Sequence, residues 1–144
     1  MNFLNYLTHS EEETRDLGIK LSKSFKCGQT VCLNGEIGAG KTAFVKGVLK
    51  GLNYKEEVTS PTFSLCHQYI ADINVFHLDL YRINNYDDLY SIGFFDIDTE
   101  NSIVFIEWAE IVSKYLNEFI NINFSYGKDI NDRIIEVNNI FKIL

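Results

Sequence analysis

The stretch Gly35-Glu36-Ile37-Gly38-Ala39-Gly40-Lys41-Thr42 constrains this chain more than any other feature. It reads G-x-x-x-x-G-K-T, and each fixed position has a physical reason. Glycines let the backbone curl until successive N–H groups converge on phosphate oxygens, where side chains would obstruct them. The lysine adds a compact positive charge for β- and γ-phosphates, and the threonine hydroxyl after it is a magnesium ligand. The helix expected to follow aims its positive dipole end at the same oxygens. Given its Gly, Lys, Ser and Thr content, a chain of 144 residues carries this pattern by chance about 0.004 times. The context agrees. Thr30–Asn34 is a short apolar strand before the motif, and Phe44, Val45, Val48, Leu49 and Leu52 recur at helical spacing after it. The motif predicts a chain that binds a nucleoside triphosphate.

The other elements fit an α/β fold. Ser10-Glu11-Glu12-Glu13 is a capping box, and Leu17, Ile19, Leu21 and Phe25 predict a helix over residues 11–25 that stops before Gly28. Phe63–Ile70 and Val75–Tyr81 read as two strands of a hairpin joined through Ala71-Asp72-Ile73-Asn74. Asp87–Ile92 predicts a short helix, and Ser102–Glu107 a strand buried on both faces and ending in a carboxylate. Ala109–Leu116 predicts another helix, followed by closing strands at 119–126 and 133–137. The expectation is a single P-loop NTPase domain over residues 1–144, with a mixed, partly antiparallel central sheet flanked by helices.

Composition narrows the chemistry. The formal net charge is −7, with 13 Lys and Arg against 20 Asp and Glu. A basic surface is what releases counterions from phosphates, so unaided DNA or RNA binding is not expected. No apolar run is long enough to span a bilayer, and residues 1–5 lack a basic, then apolar, leader pattern. The three cysteines form no C-x-x-C pair, so a cytoplasmic protein with reduced thiols is expected.

Two classes of P-loop protein survive. No D-x-x-G and N-K-x-D pair marks a GTPase, and protein kinases use a different glycine loop. A small ATPase remains, with a small-molecule kinase as the alternative. The alternative needs a basic lid, and Arg82 and Arg133 are the only arginines after Arg15. Magnesium also needs an acid at a strand end. Asp79 closes Phe76-His77-Leu78-Asp79, and Glu107 closes the run from Ile103, so both qualify on residue type alone. Thr59-Ser60-Pro61-Thr62-Phe63 reads either as a γ-phosphate sensor or as an ordinary turn.

Taken together, G-E-I-G-A-G-K-T over Gly35–Thr42, Ser60-Pro61-Thr62-Phe63, His77-Leu78-Asp79-Leu80-Tyr81-Arg82 and Ile106-Glu107-Trp108 resemble the TsaE (YjeE) family. This is the ATPase component of bacterial tRNA threonylcarbamoyladenosine synthesis. The resemblance runs nearly the whole chain. Glu36 stands where the family usually has Asp, and residues 117–144 diverge. The resemblance implies ATP and Mg²⁺ as ligands and the transferase pair TsaD and TsaB as partners. It also implies hydrolysis at their interface that resets the transferase, with tRNA reached only through those partners. The acidic charge is compatible, because the basic tRNA-binding surface can belong to the partners.

Roles follow residue by residue. The segment from Gly35 through Gly38, Ala39, Gly40, Lys41 and Thr42 to Ala43 is expected to contact nucleotide. Lys41 is expected to stabilise charge on the γ-phosphoryl oxygens in the transition state. The family pattern makes Thr42 and Glu107 the magnesium pair. Asp79 is then the group that orients attacking water or holds a ligand in place, since an ordinary carboxylate is a poor base at neutral pH. Thr62 is assigned to the γ-phosphate or the water, and for adenine the resemblance points to the N-terminal segment around Glu11. Trp108 reads either as a nucleotide or partner contact or as core, and Arg133 either as a phosphate contact or as a surface arginine.

Overall fold

The computed structural model describes residues 2–56 and 66–140. The strands are β1 (Asn2–Thr8), β2 (Thr30–Asn34), β3 (Cys66–Ile70), β4 (Asn74–Asp79), β5 (Ser102–Glu107), β6 (Phe119–Tyr126) and β7 (Arg133–Ile140); the helices are α1 (Glu11–Leu21), α2 (Lys41–Gly51) and α3 (Tyr86–Ser91). The strands form one mixed sheet in the order β1-β7-β6-β2-β5-β4-β3. Strands β6, β2, β5 and β4 are parallel, while β3, β7 and β1 are added antiparallel at the edges. The mixed α/β sheet expected from the sequence is therefore present.

Period-two alternation sorts the apolar strands between two cores. Val31 and Leu33 of β2, Ile103 and Phe105 of β5, and Ile120, Ile122 and Phe124 of β6 pack with Phe44, Val45, Val48 and Leu49 of α2. Cys32, Val104, Ile106 and Leu78 belong to the second core, closed by Leu89 of α3 with Ala109 and Val112. All six residues of β5 are buried, as a parallel strand covered on both sides requires. Burial pushes the Cys32 thiol up to about 12, so it behaves as a packed apolar group.

Several boundaries differ from the sequence reading. The first helix ends at Leu21 and continues only as a 3-10 turn over Ser22–Ser24. Its cap is as expected at Ser10, whose Oγ accepts from the Glu13 N–H at 3.0 Å, but Glu13 reaches back one residue further, to the His9 N–H. Helix α3 starts one residue early, capped by Asn85, whose Oδ1 accepts from the Asp88 N–H. The expected helix Ala109–Leu116 is two 3-10 turns, Ala109–Ile111 and Ser113–Tyr115. Its apolar spacing serves the second core without an α-helix, because Trp108 enters the segment with a left-handed backbone. Strand β1 was not predicted. Among the described residues it pairs with β7 alone, along the sheet edge.

Helices α1 and α2 cross unusually closely on the first core. A Cβ on Gly47 would lie 1.9 Å from the Arg15 carbonyl oxygen, and one on Gly18 would lie 2.3 Å from the Phe44 carbonyl oxygen. Only residues without side chains permit that approach. It fixes α2, and with it the start of α2 at Lys41, against the N-terminal part of the chain. No helix among the described residues is long and apolar enough to cross a membrane.

Candidate functional site

Parallel strands β2, β5 and β4 bring their C-terminal ends together, where open α/β sheets place their ligands. Glu107 lies opposite Leu33 on one side and opposite Asp79 on the other. Odd-numbered positions of β4 and β5 share a face, so His77, Asp79 and Glu107 continue the side on which Val75, Ile103 and Phe105 meet α2. The loop from β2 to α2 crosses above them. Gly38 and Gly40 have φ of +84° and +111°, values that favour glycine, and Gly40 is the residue immediately before α2.

Lys41 is only 6% exposed although it opens a helix. Its ammonium donates to the Gly35 carbonyl and lies 3.5 Å from Glu107 Oε1. Glu107 Oε2 is 2.7 Å from His77 Nε2. Burial alone would push the Glu107 carboxyl up, but the His77 hydrogen bond and charge, together with Lys41, hold it below the ordinary carboxylate value. A buried carboxylate is thus kept ionised by two groups on opposite oxygens. Trp108 follows with φ of +58°, a strained conformation for a bulky residue. That turn puts the indole ring 4.9 Å from the Tyr81 ring and 5.3 Å from the Lys41 ammonium.

Lys41, Glu107, Trp108 and Tyr81 line a cavity of about 620 Å³, large enough for a small ligand, and His77 supports Glu107 from behind its wall. Of the residues singled out in the sequence, Glu11, Gly38, Gly40, Lys41, Thr42, Ala43, Asp79, Glu107, Trp108 and Arg133 line it. Gly35 and Ala39 do not. Gly35 contributes its carbonyl to Lys41, and Ala39 is buried in the first core. Thr62, with the rest of Thr59–Phe63, lies outside the described residues.

Two ambiguous residues gain a definite setting. Trp108 is half-buried, packed on the second core on one side and lining the cavity on the other. Arg133 reaches the loop, but its guanidinium donates to the carbonyls of Gly38, Ile130 and Asp132 and lies 4.5 Å over the Tyr126 ring. Tyr126 in turn donates its hydroxyl to the Ile37 carbonyl. The pair ties the loop to β6 and β7. Asp79 accepts the Tyr81 N–H, which orients its carboxylate at the rim.

His77 is the functional candidate that residue-type reasoning passed over, because its partner stands thirty positions away and only the β4–β5 register joins them. Its place in the H-L-D segment was the available signal. Thr14, Tyr81, Arg82 and Asn131 also line the cavity. Among the described residues no group of three His, Cys, Asp or Glu side chains could form an all-protein metal cage.

The family model described as "Threonylcarbamoyl adenosine biosynthesis protein TsaE" matches residues 8–135, a span that includes the loop, β4, β5 and Arg133. The chain belongs to the TsaE family. Relatives named tRNA threonylcarbamoyladenosine biosynthesis protein TsaE agree along most of its length. The Treponema pallidum protein is 35% identical, over 78% of this chain and 84% of its own. The Nostoc protein is 37% identical, over 83% and 76%. The Rickettsia conorii protein is 36% identical, over 90% and 74%. Among solved structures, Bacillus subtilis YdiB superposes with a TM-score of 0.77 at 27% identity, covering 96% of this chain and 86% of that one. The TsaE family's place is in tRNA threonylcarbamoyladenosine biosynthesis, and the cavity described above belongs to a member of it.

Proposed function

We propose that this TsaE-family chain binds and hydrolyses ATP with magnesium in the cavity, and that it acts on the TsaD–TsaB transferase pair to support repeated rounds of tRNA modification. The observation that carries the reading is the buried Lys41–Glu107–His77 arrangement beneath a glycine loop at the C-terminal edge of the sheet. A phosphate chain laid on that loop meets the N–H groups at the start of α2 and the positive end of its dipole. Lys41 is already desolvated there, so its charge acts at low effective dielectric and needs little reorganisation.

The donor set fits magnesium. Thr42 offers a hydroxyl and Glu107 an ionised carboxylate, both hard oxygens lining one cavity, and magnesium commonly uses one or two protein ligands beside phosphates and water. Bound magnesium supplies charge neutralisation on the phosphate oxygens. Lys41 exchanges its contact with Glu107 for the phosphates, which leaves Glu107 Oε1 open while His77 still holds Oε2. Asp79, on the adjacent strand, orients water. Glu11 and Trp108 bound the cavity where the nucleoside would lie.

The test measures phosphate release from ATP by the purified chain, alone and with the TsaD–TsaB heterodimer, beside modified tRNA formed per enzyme. Stimulated release together with several rounds of modification is the expected result. A rate indifferent to the heterodimer would overturn the partner assignment, and no release under either condition would overturn the ATPase reading.

The Glu107→Ala variant should weaken magnesium-dependent nucleotide binding by roughly tenfold or more, and hydrolysis with it, while magnesium-free binding changes less. Titrating a fluorescent ATP analogue at several magnesium concentrations separates the two effects. Unchanged magnesium dependence would transfer the ligand role to Asp79.

A further inference from the structure

The first 3-10 turn beyond α3, over Phe94–Asp96, the helix itself and the turn Ser113–Tyr115 together carry a surface feature that the cavity does not use. Four large aromatic side chains stand exposed and touch one another. Tyr86, Tyr90, Phe95 and Tyr115 are 52%, 65%, 40% and 41% exposed. The Tyr86 ring centroid lies 6.5 Å from Tyr90, 5.2 Å from Phe95 and 6.2 Å from Tyr115, and Phe95 lies 5.6 Å from Tyr115. Phe94, packed against the second core, joins the patch to that core through a ring contact with Phe95. None of these residues lines the cavity.

Isolated exposed aromatics are ordinary on a protein surface, whereas a contiguous group anchored to a core is the usual mark of an interaction site. Tyrosine and phenylalanine are enriched at the centres of protein interfaces, because they bury much area for little side-chain entropy. The surroundings select the partner's charge. Apart from Glu107, residues 83–118 contain seven carboxylates and one basic residue, Lys114. Asp87 and Asp88 lie on the patch's own helix, and Asp96 on its first 3-10 turn. That single lysine sits 5.2 Å over the Tyr115 ring. An aromatic surface with carboxylates on its own helix and turn accepts further cations in the same way. Two copies of this face would set carboxylates against carboxylates, and a nucleic acid would meet the same repulsion.

We propose that the Tyr86–Tyr90–Phe95–Tyr115 patch is a docking surface for a basic protein face that presents apolar side chains among its Lys and Arg residues. The proposal rests on the function above and gives that function its contact surface: the basic face belongs to the TsaD–TsaB heterodimer, which needs positive charge to hold tRNA. The patch then adds a partner contact outside the cavity.

The experiment measures heterodimer binding by calorimetry for the wild-type chain, Y86S/Y90S and D87K/D96K, with binding of a fluorescent ATP analogue and circular dichroism as controls on the fold. Both variants should lose heterodimer affinity by about tenfold or more, with nucleotide binding unchanged. Wild-type affinity should fall as salt is raised. Variants that bind the heterodimer as tightly as wild type would overturn the docking surface and leave the partner assignment standing. A wild-type chain that does not bind the heterodimer would overturn both. Self-association of the wild type that Y86S/Y90S abolishes would make a second copy the occupant, which also overturns the proposal.

Discussion

Lys41→Met is expected to lower nucleotide affinity by about 10²–10³-fold and to abolish hydrolysis, read by analogue titration and phosphate release. Methionine keeps much of the side chain's volume and apolar stem, so the change removes charge rather than packing. The charge matters because of where it is held. Lys41 is 6% exposed and pinned between the Gly35 carbonyl and Glu107. A solvated surface lysine would be worth far less to an incoming phosphate. The variant also changes the free protein. Glu107 keeps His77 but loses the cation near its other oxygen, at a cost of about 2 kcal/mol.

The sign of the accompanying pH effect follows from the depressed Glu107 value. A carboxyl that titrates lower folded than unfolded contributes stability above the ordinary carboxylate range and loses it as pH falls through its folded value. Lys41 is one of the groups that depress it. Lys41→Met therefore moves the acid limb of the stability curve to higher pH, as urea unfolding at a series of pH values would report. An unmoved acid limb would mean that His77 alone holds the carboxylate ionised.

The parts of this molecule legible in its sequence are those with local causes. The run Ser102–Glu107 announces a strand buried on both faces because it has no polar alternation to spend on solvent, and it is one. The motif Gly35–Thr42 announces a strand, a turn and a helix because glycine, lysine and threonine are each needed at a fixed step. Edge strand β1 had no such signal. Its asparagines are poor strand formers, and Leu4 and Leu7 remain 48% and 56% exposed on it, so neither face is cleanly apolar. The segment after Glu107 misleads for a different reason. Ala109 and Val112 have helical spacing, yet the left-handed Trp108 and two 3-10 turns satisfy the same burial. The least legible features are those made by register. His77 meets Glu107 only because β4 and β5 run parallel in one alignment, and no local pattern encodes a pairing between strands. The aromatic patch is similar, since Tyr86, Phe95 and Tyr115 are scattered along the chain and meet through packing.

Gly47→Ala is expected to destabilise the fold by about 3 kcal/mol, lowering the urea midpoint without changing the slope. The usual expectation for this substitution has the opposite sign, because alanine in a helix interior is better than glycine by about 1 kcal/mol. Here the added methyl would stand 1.9 Å from the Arg15 carbonyl oxygen and 2.8 Å from its carbonyl carbon. Both are backbone atoms of α1, so no rotamer change relieves the clash, and one helix must move away from the other. The crossing cannot yield on its other side either. A Cβ on Gly18 would lie 2.3 Å from the Phe44 carbonyl oxygen and 2.9 Å from the Val48 nitrogen, so α1 is as tightly apposed to α2 there. Because α2 begins at Lys41, displacing it also shifts Lys41 and Thr42 relative to Glu107, which is anchored on β5. Nucleotide affinity should therefore fall along with stability. Lys50→Ala, on the exposed side of the same helix, serves as the control and should stay within about 0.5 kcal/mol. A Gly47→Ala protein as stable as the parent would show that the crossing has slack and that the glycine pair does not set the position of the loop.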